Sequence, residues 1–366
     1  MKVVHIWWSL DYGGIETMLV NIANKQSEEG ADVSVVIIDE IKAEALLHAF
    51  FPSVRVVSLK RKRHSKSPLP YLRLNYLLWK MHPDVVHLHG SCLYRAIWSR
   101  RLSHAACVTL HDLPRGAVRH DGALRLVLPF LDMKIGGNVA CINEIPHVFA
   151  ISKAVRDELS DKYGVNSTVV SNGIITSKFA VRSIKTVSKP FRIVQVSRLE
   201  HDKKGQDLLI QAVARMREDV EVDFIGVGSS MDYLQQLAKK LKVESRIHFL
   251  GSKTQQYIAD NLCQYDLFVQ PSRYEGFGLT VTEAMAANIP VLVSAGQGPA
   301  EVTCGSKYGW VFENGSVKDL AKNIEYVMNH YVEASEKVVQ ARQYVIGTYD
   351  VAVTARKYME EYKIFL

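Results

Sequence analysis

Two glutamates separated by seven residues carry the strongest chemical signal in the chain. Glu275 sits in Tyr274-Glu-Gly-Phe-Gly-Leu279, and Glu283 follows in what reads as a helix. An ionised carboxylate accepts strong hydrogen bonds, which suits sugar and ribose hydroxyls. Gly276 and Gly278 let the backbone approach a ligand closely, and a helix beginning near Leu279 offers free N–H groups to an anion. The plainer reading is a glycine loop and a helix glutamate paired with a lysine. A second group is basic. Arg198 follows an apolar run, and Lys204 lies on the way into the next helix. A planar guanidinium beside a compact ammonium suits a diphosphate, and a solvated basic loop is the alternative.

Three further signals lie in the first half. Gly13 and Gly14 end the first strand, in what reads as a plain β-turn or a ligand-facing loop. Glu16 then complements the dipole of the helix that follows. His111 ends Thr109-Leu-His, a place from which ligand sites are built in α/β proteins. His87 and His89 alternate along a strand and read as hydrogen-bonded packing. Phe224-Ile-Gly-Val-Gly228 looks like half of a dinucleotide fingerprint. It lacks the third glycine, because residue 231 is Met, and it lies outside the chain's first strand–helix turn. No Asp-x-Asp spacing and no His/Cys cluster with ligand spacing occurs, so no metal is expected.

These residues need strands to end beside them. Lys2–Trp8, Asp32–Ile38, Val54–Leu59, Val85–Leu88 and Ala106–Leu110 are apolar, largely β-branched runs. Helical patterns over Ile15–Glu29 and Leu69–Met81 separate them. Ser152 caps a helix through Tyr163, with Gly164 as its stop. The pattern restarts after a polar stretch, 181–190, that reads as a linker. Strands at Phe191–Ser197, Val222–Gly226, Ile247–Leu250, Leu267–Gln270 and Val291–Ser294 then alternate with helices at Gln206–Met216, Met231–Leu241 and Thr280–Ala287. Helices follow from Val317 onward. This alternation predicts two doubly wound parallel sheets, with ligands at the carboxyl ends of the strands.

The chain has 366 residues, enough for two domains, and 48% are hydrophobic. The first residues lack the apolar core of a secretory leader, and no run is long enough to span a bilayer. Five cysteines without C-x-x-C spacing read as reduced thiols of a cytoplasmic protein. The net charge of +7 is uneven. Residues 1–189 hold 25 Lys and Arg against 16 Asp and Glu, a net of +9, and residues 190–366 hold 20 against 22, a net of −2. An anionic surface or substrate is expected for the first half. Lys60, Arg61, Lys62, Arg63 and Lys66 form a basic run before the helix Leu69–Met81, whose apolar groups include Leu72, Tyr76 and Trp79. Such a pair suits an anionic membrane surface, or else a solvated loop and an ordinary packing helix. No aromatic–basic interleaving or known module points to nucleic acid.

Taken together the motifs resemble glycosyltransferase family 4, over nearly the whole chain and in the right order. Gly13-Gly-Ile-Glu16 resembles its first loop, and Glu275 with Glu283 its E-x7-E motif. Ser197-Arg-Leu199 with Lys204-Gly205 resembles its donor-phosphate segment, and Val170-Ser-Asn-Gly173 and Phe224–Gly228 also match. Glu200-His-Asp-Lys-Lys204 is one residue longer than the commonest family spacing, which leaves Lys203 as an alternative to Lys204. The resemblance implies the GT-B fold: two Rossmann-like, doubly wound α/β domains facing across a cleft. Residues 1–185 would bind the acceptor, 190–349 would bind the donor, and a helix over 350–366 would pack back on the first domain. With the cysteines and the basic run it fits a cytoplasmic transferase, peripheral on the inner face of the membrane if the basic run docks there. The enzyme would move a sugar from a uridine or guanosine diphosphate sugar to a glycan or lipid-linked acceptor. It would do so with retention, without cofactor or metal, in polysaccharide or lipopolysaccharide assembly. In that pattern His111, Arg198, Lys204 and Glu275 are catalytic. Gly13, Gly14, Asn172, Gly228, Ser252, Gly276, Phe277, Gly278, Leu279 and Glu283 hold the donor. A nucleotide-sugar 2-epimerase of the same fold and a non-catalytic sugar-nucleotide or membrane-binding protein are the rivals.

Overall fold

The computed structural model describes the chain outside residues 12, 63–64, 66, 112–141, 184–186 and 218. Arg63, Lys66 and Cys141 therefore lie outside the described residues. Two compact units emerge. One is Met1–Gly173 with Val351–Leu366, and the other is Ile174–Asp350.

The first unit is built on seven parallel strands in the order β3-β2-β1-β4-β5-β6-β7. They are β1 (Lys2–Trp7), β2 (Asp32–Asp39), β3 (Arg55–Arg61), β4 (Val85–Leu88), β5 (Ala106–Leu110), β6 (His147–Ala150) and β7 (Thr168–Val169). β1, β2, β4 and β5 are buried almost throughout, as expected of strands covered on both faces. β1 pairs with β4 so that His5 lies opposite His87, and β4 pairs with β5 so that His87 lies opposite Cys107. His5, His87, His89 and Thr109 thus project from one face, and His111 follows β5 on the same side. Helix Gly14–Glu28 and the final helix Val351–Ile364 pack against each other on this unit. Tyr358 and Tyr362 of the final helix are fully buried in it.

The second unit carries six parallel strands in the order β10-β9-β8-β11-β12-β13. They are β8 (Phe191–Val196), β9 (Val220–Ile225), β10 (Ile247–Gly251), β11 (Leu267–Gln270), β12 (Val291–Ser294) and β13 (Trp310–Phe312). The chain winds outward from β8 to β10, then returns to β11 on the other side of β8. The order reverses between β8 and β11, and this is the switch point at which loops diverge and leave room for a ligand. Phe191, Phe224 and Phe312, with the leucines of helix Gln206–Val213, fill the core behind it.

The unit boundary lies earlier than the polar composition of 181–190 suggests. The described residues of that stretch are not a free linker but pack on the second unit. Arg182 donates to Asp266 at 2.5 Å and to the carbonyl oxygen of Tyr265 at 2.6 Å, and Ser188 Oγ reaches Asp266 at 3.1 Å. Asp266 is fully buried, so its charge has to be met by such donors. The basic run is also corrected in part. Arg61 belongs to β3, pairs with Asp39 at 2.6 Å and lies over the Trp8 ring at 5.1 Å. Lys60 and Lys62 are exposed. Helix Leu69–Met81 leaves Leu69, Leu72, Tyr76 and Trp79 at 48%, 50%, 60% and 65% exposure, one uncovered apolar face. Among the described residues, no helix is long and apolar enough to cross a membrane.

Candidate active site

In the second unit the predicted residues converge on the switch point. After β8 the chain makes a short helix, His201–Lys204, which ends at Gly205. Gly205 has φ +67°, and a Cβ there would stand 2.0 Å from the carbonyl oxygen of Pro271, at the end of β11. Only glycine lets these two loops touch. The contact brings Lys204 beside the loop after β11, where its ammonium meets Glu275 Oε2 at 2.5 Å. Both side chains are largely shielded from water. The backbone N–H of Glu275 donates to Gln297 Oε1 at 3.1 Å, and Gly298 N donates to the Glu275 carbonyl oxygen at 3.0 Å. A Cβ on Gly298 would lie 2.3 Å from the Gly276 carbonyl oxygen. The Glu275 loop is therefore gripped from a second loop that sequence reading passed over.

Lys204, not Lys203, carries its charge to Glu275. Lys203 lies over the Tyr274 ring at 5.3 Å. Arg198 sits on the same turn as Lys204, largely exposed, with Glu200 at 3.1 Å. Gln206 Nε2 donates to the Arg198 carbonyl oxygen at 2.8 Å, and Gln195 Nε2 to the Lys204 carbonyl oxygen at 2.9 Å. These two glutamines hold both basic residues from beneath, and neither was expected. Arg273 adds a fork to Asp207, both bonds at 2.8 Å.

Gly228 is forced by packing, since a Cβ there would sit 2.3 Å from the Leu199 carbonyl oxygen. It brings the β9 loop against the turn that bears Arg198. Ser252 follows β10 and is exposed, two strands away from β8 in the sheet order. Gly278 caps helix Leu279–Ala286 at φ +95°. Phe277 is buried edge-on against Tyr349 at 5.4 Å, an anchor for the loop and not an exposed contact. Leu279 is half-buried at the helix start. Glu283 is buried one turn further on, and its Oε2 has no hydrogen-bond partner among the described residues. Burial pushes its carboxyl up to about 8.

The first unit holds the remaining predicted residues. A Cβ on Gly13 would meet Glu16 Oε2 at 2.4 Å, and Glu16 accepts from Trp7 Nε1 at 3.1 Å. Gly14 opens the helix. Asn172 is buried, its Oδ1 unpartnered among the described residues, next to Gly173, where a Cβ would strike Thr354 Oγ1 at 2.5 Å. His111 Nε2 lies 3.1 Å from His89 Nδ1, and its own Nδ1 has no partner among the described residues. His89, read from sequence as packing alone, thus touches the predicted catalytic histidine. His5 joins the same cluster, which no sequence spacing shows. The ligand atoms of His5, His87 and His89 lie within 4.8 Å of one another.

Two family models match this chain. One, described as glycosyl transferases group 1, matches residues 177–344, and one described as glycosyltransferase family 4 matches residues 12–178. A glycogen synthase of Mycobacterium tuberculosis is 25% identical over 298 residues, which are 76% of this chain and 69% of that protein. A poly(ribitol-phosphate) alpha-N-acetylglucosaminyltransferase of Staphylococcus aureus is 26% identical over 224 residues, 59% of this chain and 44% of its own. Among solved structures, HepE of Anabaena in complex with UDP and glucose matches over 100% of both chains with TM-score 0.78 and 21% identity. Sucrose-phosphate synthase from Thermosynechococcus elongatus matches over 99% of this chain and 98% of its own, with TM-score 0.80 and 16% identity. These structural likenesses give the fold, two doubly wound parallel sheets of the GT-B type. With the two models together spanning residues 12–344, this chain belongs to the group 1 glycosyltransferases of family 4.

Proposed function

We propose that this glycosyltransferase moves a sugar from a uridine or guanosine diphosphate sugar to a glycan or lipid-linked acceptor, with retention and without a metal. The observation that carries the reading is the Lys204–Glu275 pair bridging the loops after β8 and β11. Lys204 keeps two of its three ammonium protons for other acceptors, and Arg198 extends a free side of its guanidinium from the same turn. A diphosphate bridging the two would be held by an arginine fork and a point charge. As the bond from sugar to phosphate breaks, these cations stabilise the charge that gathers on the leaving diphosphate. The acceptor hydroxyl attacks on the face from which the diphosphate departs, and its proton passes to a phosphate oxygen. Glu283, whose carboxyl is pushed up by burial, meets the ribose hydroxyls. Gly13 and Gly14 supply amides to the phosphates, and Asn172, Gly228, Ser252, Gly276, Gly278 and Leu279 line the donor. His111 contacts the sugar. Relatives named as glycogen synthase and as a poly(ribitol-phosphate) transferase support a polymeric or cell-surface acceptor.

The test is a thermal-shift panel of uridine, guanosine and adenosine diphosphate sugars, followed by turnover with acceptor. A true donor at about 100 times its dissociation constant adds roughly 2.7 kcal/mol of stability. Turnover of the donor without any acceptor would favour the epimerase instead. Activity is expected to survive a chelator. Complete loss restored by magnesium or manganese would overturn the metal-free route.

The uncovered face of Leu69, Leu72, Tyr76 and Trp79, with Lys60 and Lys62 beside it in sequence, favours docking on an anionic leaflet. The acceptor would then be met at the membrane surface.

A further inference from the structure

Three histidines in the first unit form one hydrogen-bonded file. It runs from His111 Nε2 to His89 Nδ1 at 3.1 Å, then from His89 Nε2 to His5 Nδ1 at 3.0 Å, and from His5 Nε2 to Gln26 Oε1 at 2.7 Å. Gln26 is itself oriented by the final helix, since its Nε2 donates to the Tyr362 hydroxyl at 3.4 Å. The amide oxygen therefore faces His5.

The place of every proton follows from that last link. An amide oxygen only accepts, so His5 carries its proton on Nε2. Burial drives the imidazoles to neutrality. His5 is pushed down to about 4, His111 to about 3, and His87 and His89 well below the usual histidine range. Neighbouring rings of the file lie 5.3 Å apart, so charging two of them would add repulsion. A neutral imidazole has one N–H. His5 Nδ1 is then a lone pair, and His89 must donate from Nε2. His89 Nδ1 is next a lone pair, and His111 must donate from Nε2. What remains is His111 Nδ1, a lone pair with no partner among the described residues.

A metal is the competing account, because His5, His87 and His89 approach one another closely enough. Each would have to offer a lone pair, and all three are engaged. His5 Nδ1 accepts from His89, and His89 Nδ1 accepts from His111. His87 Nδ1 lies 2.5 Å from the Tyr362 hydroxyl, with its Nε2 spent on Thr109 Oγ1 at 2.7 Å.

We propose that His89, His5 and Gln26 are positioning residues that lock His111 in its Nε2–H tautomer, so that Nδ1 is held ready as an acceptor for a hydroxyl of the donor sugar. The sugar contact rests on the donor reading above, whereas the tautomer does not. An imidazole free to switch would present an N–H to that hydroxyl for part of the time, and the contact would be lost.

The experiment is two-bond proton–nitrogen NMR of the full chain labelled with nitrogen-15 histidine, with His111→Gln to assign the resonance. The unaltered protein is expected to show Nδ1 unprotonated and Nε2 protonated at His111. Gln26→Leu removes the terminal acceptor. His111 then loses its single tautomer, and turnover falls about tenfold, the scale of one lost neutral hydrogen bond. Gln26→Glu keeps an acceptor for His5 and restores both. An Nδ1–H tautomer in the unaltered protein, or a His111 that ignores Gln26→Leu, overturns the relay whatever the activity. Undiminished turnover in His111→Gln overturns the sugar contact, and the placement of His111 with it. Because the unaltered protein already reads the tautomer, a Gln26→Leu chain that does not fold leaves the idea open to refutation.

Discussion

At the scale of single residues the donor reading stands on charges placed where one lost contact is measurable. Glu275→Gln and Arg198→Ala are each expected to lower turnover at least about 100-fold, since a lost charge-assisted contact at a transition state costs about 3 kcal/mol. Steady-state kinetics on folded variants decides, and near-normal turnover removes that residue from the site. Glu283 makes a prediction of different form. Its folded carboxyl titrates near 8, above the ordinary value of 4.5. The folded state thus keeps a proton that the unfolded chain releases first. Its contribution to stability is complete below about 4.5 and is lost as pH rises through 8. Glu283→Gln should therefore match the unaltered protein in melting temperature at pH 4.5 and exceed it at pH 9. A difference that does not change with pH means that Glu283 is ionised and paired. This residue was legible in the sequence as half of a spaced pair, but its burial was not, because nothing in Thr280–Ala287 says which turn faces inward. The histidine file was invisible for a related reason. Positions 5, 87, 89 and 111 become neighbours only through the register of β1, β4 and β5.

Among the elements, those that could be read are those whose local pattern agrees with their place in the fold. Helix Leu69–Met81 and strands Val85–Leu88, Ala106–Leu110, Leu267–Gln270 and Val291–Ser294 appear with the bounds that periodicity gives. β6, β7 and β13 went unread; β7 and β13, at two and three residues, are too short to show any pattern. They exist by pairing, β6 with β5, β7 with β6 and β13 with β12. The polar stretch 181–190 misled because composition reports solubility and not a buried partner such as Asp266. At this scale the glycines of the site can be tested. Gly205→Ala forces a left-handed residue and a Cβ into the Pro271 carbonyl, at a cost of at least about 1–2 kcal/mol from the backbone alone. Denaturant unfolding is expected to show that loss, together with a weaker donor affinity as Lys204 shifts from Glu275. Unchanged stability would mean that the two loops separate freely.

For the whole molecule, charge and exposed surface make the test. Binding to anionic vesicles and not to neutral ones, weakened by salt, is expected from Lys60, Lys62 and the face of Leu72, Tyr76 and Trp79. Each basic group near such a leaflet is worth about 1 kcal/mol. Replacing Trp79 and Tyr76 with serine should release the protein into the supernatant, and equal recovery with both vesicle types at low salt refutes docking. The division of the chain carries one more consequence. The second unit is a single stretch, Ile174–Asp350, whereas the first needs Val351–Leu366 to fill its core with Tyr358 and Tyr362. A ribosome delivers those two tyrosines only after the whole second unit. The first unit is therefore begun before the second and completed after it, and it must wait through synthesis of the second unit with a groove open along its sheet. Nascent chains halted before Tyr358 should accordingly show a protease-resistant second unit attached to a first that is still cleavable.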